Sequence, residues 1–156
     1  MSRFLDALSD RVLLADGAMG SRVQVLNLDV ERDYDGAENC TDVLCRTRPD
    51  IVREIHRSYF VAGSDAVTTN SFGASPITLG EFGLSAEAFQ LSKRSAELVR
   101  EAADLLKADG RERFVLGDIG PGTKLPTLGH IDYQPLEDAL AVQTAGLIAG
   151  GRLEEH

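Results

Sequence analysis

The nine residues Val12 to Gly20, VLLADGAMG, constrain this chain more than any other stretch. Four apolar residues run without alternation into an acid, and small residues follow it. An unbroken apolar run this short reads as a strand buried on both faces, which belongs in a parallel sheet covered by helices. Asp16 then stands just past the strand's carboxyl end, the edge at which α/β folds bind ligands. Gly17 and Gly20 leave backbone N–H groups accessible to a small substrate. The competing reading makes Asp16 a helix-capping residue on a tight turn.

The same grammar recurs along the chain. Arg3 to Leu8 reads as a short amphipathic lead-in helix, and Ser21 to Leu28 as another short helix. Asp29 to Cys45 reads as a long polar connection, the kind that tends to be functional or disordered. Pro49 opens a helix whose apolar face holds Ile51, Val52, Ile55, Tyr59 and Phe60, and Gly63 closes it. Ser64 to Thr69 is a β-branched second strand ending in Asn70, Ser71, Phe72 and Gly73. A turn over Ser75 to Gly83 leads into a long helix from Ser85 to about Ala108, apolar at Phe89, Leu91, Leu98, Leu105 and Leu106. Arg113 to Gly117 is the third strand, and it too ends in an acid, Asp118. Pro135 to Ala149 forms a third helix with Leu136, Leu140, Ala141, Leu147 and Ile148 apolar.

The order is therefore βα three times, with long loops after the strands and short turns before them. That asymmetry belongs to folds carrying their site at the strands' carboxyl ends, and it fits a barrel or an open sheet equally. No GxGxxG follows the first strand and no GxxxxGK precedes a Ser or Thr, which weakens nucleotide-binding readings. A formal net charge of -9 argues against a nucleic-acid or anionic-membrane surface. With 43% hydrophobic and 26% charged residues, 156 residues suffice for one modest globular domain. No apolar run approaches the ~20 residues that span a bilayer, and the acidic start lacks the apolar region of a signal peptide. Cys40 and Cys45 are too few for a disulfide framework, so a reducing cytoplasm is the expected compartment.

In this order and spacing, LLADGAMG, GAENC, TRPDIVREIHRSYFVAGSDAVTTNSFGAS and GDIGPGTK resemble the amino-terminal half of a homocysteine S-methyltransferase domain. That is the homocysteine-binding barrel of cobalamin-dependent methionine synthase and of betaine–homocysteine methyltransferases. The likeness runs from about Val12 to Gly151. It implies an α/β chain of the (β/α)8 TIM-barrel family, with residues 1–151 supplying about the first three βα units as a partial barrel. It implies a zinc ion bound by three cysteines in the complete enzyme. The thiolate of homocysteine joins that zinc and attacks a methyl group carried by cobalamin, methylfolate or a quaternary amine such as betaine. Zinc keeps such a thiol deprotonated near neutral pH.

By the same resemblance, Asp16 and Gly17 stand near the amino acid part of homocysteine. Thr69, Ser71 and Phe72 line that pocket, and Asp118, Gly120 and Pro121 face the methyl donor or its domain. Thr68 departs from the pattern, since relatives often carry Glu there. The family's zinc cysteines end the sixth and eighth strands, so neither a catalytic residue nor a metal ligand is expected within this chain. Cys40 and Cys45, spaced C-x4-C, do not match those positions and read as free thiols in or beneath a loop. His56, His130 and His156 supply no well-placed third ligand.

After Gly151 the pattern calls for an apolar strand, yet Arg152, Leu153, Glu154, Glu155 and His156 follow. That end resembles an affinity-tag remnant on a fragment of a longer enzyme. Such a fragment is expected to be inactive alone and to form a homo-oligomer through its open sheet edge. Two other classes stay open: a non-catalytic amino-acid-binding or assembly module built on half a barrel, and an unrelated α/β enzyme using Asp16 and Asp118 as acid and base.

Overall fold

In chain order the helices are α1 (Arg3–Asp10), α2 (Met19–Gln24), α3 (Val30–Asp33), α4 (Leu44–Thr47), α5 (Pro49–Ala62), α6 (Pro76–Gly80), α7 (Ala88–Asp104) and α8 (Tyr133–Gly151). The strands are β1 (Ala66–Thr68), between α5 and α6, and β2 (Phe114–Leu116), between α7 and α8. The structure is a computed structural model and describes residues 3–151. The charged tail at 152–156 lies outside them. No helix of the described residues is long and apolar enough to cross a membrane.

Strands β1 and β2 pair in parallel, with Ala66 opposite Phe114, Val67 opposite Val115 and Thr68 opposite Leu116. Ala15 makes a single parallel bridge to Ala66 on the other side. Three segments therefore run side by side in sequence order, with β1 in the middle, and helices connect them. This is the α/β arrangement expected, with two corrections. The run Val12–Ala15 is not buried on both faces: Val12 is 83% and Leu14 60% exposed. No strand pairs with its outer edge among the described residues, so only Ala15 meets the ladder. The third strand is also half-buried along its length rather than enclosed.

Asp65 pins the amino-terminal ends of all three segments. Its carboxylate accepts from Arg11 Nη2 and from the Leu14 N–H, each at 2.9 Å. Its own N–H donates to the Leu14 carbonyl at 2.8 Å, and its carbonyl accepts from the Phe114 N–H at 2.8 Å. The Arg11 guanidinium, helped by the Leu14 N–H, holds this carboxyl down to about 2.

The segment 29–47 is folded, which overturns the reading of Asp29 to Cys45 as a loose connection. It contains α3, a 3-10 turn at Thr41–Val43 and α4. Buried Asp33 organises it, accepting from Arg32, from the Asp29 N–H at 2.8 Å and from Arg48 Nη1 at 2.7 Å. Arg32 and these further donors hold its carboxyl far below the ordinary carboxylate range. Behind it, Val43, Leu44 and Cys45 join Val52, Leu79, Leu91 and Leu98 in the core. Phe60, Val67, Val99 and Ala102 continue that core beneath β1.

Helix α5 begins at Pro49 and ends at Gly63, whose φ of 115° is a left-handed conformation that glycine adopts freely. Helix α2 starts two residues earlier and stops four earlier than the sequence suggested. Helix α7 buries a face of small residues between leucines, and Leu105 at its end is exposed. The largest departure is α8. It buries Ala139, Gln143, Gly146, Leu147 and Gly150, while Ala141 and Ile148 face outward. Close approach to α7 explains the choice. A Cβ on Gly146 would lie 2.5 Å from the Phe89 carbonyl, and one on Gly150 would collide with the Lys93 carbonyl.

Candidate functional site

The carboxyl ends of the three parallel segments lie together, because the ladder that pairs them is in register. Asp16 follows Ala15, Thr69 to Gly73 follow β1, and Gly117 to Pro121 follow β2. All the residues expected at a site are thus at one end of the sheet.

Asp16 is half-buried and is no helix cap. Ala18 occupies the N-cap of α2 and makes no side-chain hydrogen bond there. The Asp16 carboxylate instead accepts from the Thr68 N–H at 3.0 Å and from the Thr68 hydroxyl at 3.0 and 3.1 Å. The position where relatives often carry Glu therefore supplies a polar contact as Thr. Burial pushes the Asp16 carboxyl above its ordinary range, against the pull of Thr68, and the nearby charge of Asp118 adds to the rise. Next to it, Gly17 faces Tyr59. A Cβ at Gly17 would stand 3.1 Å from the Tyr59 hydroxyl oxygen, which donates to the Ala18 carbonyl at 3.0 Å.

The second and third tips are hydrogen-bonded to each other. The Asp118 N–H donates to Thr69 Oγ1 at 2.9 Å, and Ser71 Oγ donates to the Asp118 carbonyl at 2.7 Å. With those directions fixed, the 2.6 Å contact between the two hydroxyls has Thr69 donating to Ser71. Both hydroxyls are buried and engaged, so Thr69 and Ser71 hold the tips rather than offer free donors. Phe72 is exposed, and its carbonyl accepts from the buried Gly120 N–H at 3.0 Å. A Cβ on Gly120 would come within 2.6 Å of that carbonyl, so the approach needs glycine. The Asp118 carboxyl is partly buried and pushed up by that burial. Pro121 is exposed beyond the hydrogen-bonded tips.

Two residues here were missed by sequence reasoning. Asp42, inside the supposed loop, is buried and accepts from the Gly73 N–H at 3.0 Å. Burial, with the charge of Asp118, pushes its carboxyl up to about 6. Asn70 anchors the same segment through the Thr41 carbonyl, at 2.8 Å. Gln143 on α8 is fully buried and donates from Nε2 to the Ser71 carbonyl at 2.6 Å. No signal in the sequence separates either from a solvated polar residue.

Cys40 and Cys45 are both free and buried, and they pack in different core clusters. Burial pushes the Cys40 thiol up to about 11 and the Cys45 thiol further still. No group of three or more His, Cys, Asp or Glu among the described residues could hold an ion.

The model of the homocysteine S-methyltransferase family matches residues 13–152 of the sequence. The chain belongs to that family. It is 45% identical over 147 residues to the methionine synthase of Mycobacterium tuberculosis and 43% identical to that of Mycobacterium leprae. Each match covers 94% of this chain but 12% of the relative, so the chain spans a small part of the curated proteins it matches. The homocysteine methyltransferase MmuM from Escherichia coli superimposes with a TM-score of 0.75 in its oxidized form and 0.73 in its metallated form. Identities are 24% and 22%, over 96% of this chain and 54% of that one. The shared feature at that identity is the fold. Membership of the homocysteine S-methyltransferase family sets aside the unrelated α/β enzyme as a reading of Asp16 and Asp118.

Proposed function

We propose that this chain is the amino-terminal, homocysteine-binding part of an enzyme that methylates homocysteine to methionine. Its three parallel segments are the first three strands of a (β/α)8 barrel. The free edge of β2 supports that reading: a cavity of about 460 Å³ runs along it, bordered by Val115, Gly117, Ile119 and Leu147, with room for further structure. The observation that carries the function is the pair of carboxylates at the strand ends, Asp16 and Asp118, with Asp42 reaching the second tip from the 29–47 segment through the Gly73 N–H. Asp16, Asp42 and Asp118 are all pushed toward the protonated form by burial, and no arginine or lysine is among the groups that shift them. An α-ammonium group is the kind of ligand that such a cation-poor end accommodates, and the half-buried Asp16 is the carboxylate at the end of the first segment.

Each residue then has a task. Asp16 accepts from the ammonium of homocysteine, and Thr68 keeps the carboxylate turned toward it. Phe72 offers an apolar face to the substrate's methylene groups, while Thr69 and Ser71 fix the loop that carries it. Asp118, Gly120 and Pro121 border the donor side. In the complete enzyme a zinc ion would hold the homocysteine thiol as a thiolate. Because the cysteines of this chain do not fit that ion, its ligands are assigned to the remainder of the longer protein. Cobalamin or methylfolate is likewise assigned to other parts of that protein. The two unpaired thiols agree with a cytoplasmic enzyme.

The test is a methyl-transfer assay on the complete protein with methylcobalamin or methylfolate, betaine and a sulfonium donor in turn. Methionine formed from homocysteine with one of these donors supports the reading. Saturable homocysteine binding without transfer from any of them would favour the amino-acid-binding module instead.

A further inference from the structure

A buried amide on α8 reaches the backbone of both hydrogen-bonded tips. We propose that Gln143 is the positioning residue of this site: from α8 it fixes the backbone of the second and third tips, and with it the placement of Phe72 and Asp118. The proposal rests on the homocysteine reading for what those residues meet, though not for what Gln143 holds.

Gln143 Nε2 donates to the Ser71 carbonyl at 2.6 Å and approaches the Asp118 carbonyl at 3.4 Å. Two carbonyl oxygens on one side decide which amide atom faces them, since only the NH2 can donate. The other amide atom, Oε1, is buried without a partner. A leucine would fill similar space and leave no acceptor unpaired, so packing alone does not account for an amide here. The Asp118 carbonyl that Gln143 approaches also accepts from Ser71 Oγ, and Ser71 Oγ accepts from Thr69, which accepts from the Asp118 N–H. Ser71 and Asp118 thus close a circuit, and Gln143 ties that circuit to a helix. The helix cannot yield: one turn and two turns further on, Gly146 and Gly150 bring α8 against the backbone of α7.

Gln143→Leu in the complete enzyme keeps the volume and removes the donor. The expected result is a homocysteine KM raised about tenfold or more, with kcat changed by less than about threefold. Amide exchange at Asp118 and Gly120 should quicken by about tenfold, while amides within α5 keep their wild-type protection. Gln143→Glu gives an independent readout, because its carboxyl, once protonated, donates to the Ser71 carbonyl again. Its KM should return toward wild type as pH falls, a recovery absent from Gln143→Leu. Should Gln143→Leu fail to fold, that pH profile decides the matter. Unchanged exchange at Asp118 and Gly120, or an unchanged KM in both variants, overturns the assignment. A wild-type enzyme that makes no methionine overturns the homocysteine reading instead, and the exchange measurement still reports on Gln143.

Discussion

Thr68 donates both its N–H and its hydroxyl to the carboxylate of Asp16, so the ends of the first segment and of β1 are joined by a side chain where their ladder has stopped. Asp16 is therefore oriented before any substrate arrives. In the complete enzyme, Asp16→Ala should weaken homocysteine binding by about 1–3 kcal/mol, the range for losing a hydrogen bond to a charged group. Thr68→Val should weaken it less, because the N–H of Thr68 still holds the carboxylate. Calorimetric titration with homocysteine checks both, and normal binding by Asp16→Ala would remove this residue from the substrate site.

Asp42 makes the stability of this chain depend on pH in an unusual direction. Burial raises its folded-state pKa to about 6, above the ~4 of an exposed carboxyl. The folded form thus holds the proton more tightly than the unfolded form. The resulting penalty is absent below about pH 4 and complete above about pH 6. Asp42→Asn can still accept from the Gly73 N–H, so it should gain about 1–3 kcal/mol at pH 7.5 and nothing at pH 4. Urea unfolding of wild type and variant at the two pH values gives the comparison. Equal stability at pH 7.5 would mean that Asp42 is already solvated.

Helix α8 is seated by its glycines. Gly150→Ala places a methyl group against the Lys93 carbonyl, and Gly146→Ala places one against Phe89 and Ser92. Each should destabilise the protein by about 1–3 kcal/mol despite the higher helix propensity of alanine. Gly151→Ala, where nothing lies within 4 Å, is the control and should be neutral or slightly stabilising. Thermal unfolding of the three variants tests the contrast directly.

Among the described residues of this chain, the segment Val12–Ala15 and strand β2 each leave an outer edge unpaired, with Val12, Leu14 and Ile119 exposed beside them. Unpaired strand edges and apolar patches favour association. The expected state is a homodimer or larger oligomer at micromolar concentrations and above. Sedimentation over a concentration series reads this out, and Val12→Lys should shift the balance toward monomer. A wild-type chain that stays monomeric throughout would mean that these edges are shielded.

Much of this fold could be read locally. Pro49 and Gly63 bracket α5 through their own backbone preferences, and the β-branched run at 66–69 needs no distant partner to favour a strand. Asp16 and Asp118 stood out because each ends an apolar run, whereas Ser71 was singled out by the family resemblance. The segment 29–47 could not be read that way. Its order comes from Asp33 meeting Arg48, and from Thr41 meeting Asn70, pairings between residues 15 and 29 positions apart. Helix α8 misled in part for a related reason: Leu147 is buried as its pattern suggests, but Ala141 and Ile148 face outward, because Gly146 and Gly150 are what α7 packs against. Gln143 was illegible because a polar residue in a helix ordinarily faces water.

The clasp at Asp65 has a consequence for how this protein comes into being. It binds Leu14 through both side chain and backbone, and Phe114 through its carbonyl. Its links to Arg11 and Leu14 can form once residue 65 has been made, but the one to Phe114 waits until residue 114 has been made. Until then the middle strand has one open flank, and Val67 lacks the neighbour that β2 supplies. Contacts this distant in sequence slow folding and lengthen exposure of the half-built sheet. A ribosome-bound chain passing through that interval is where a chaperone has most to protect.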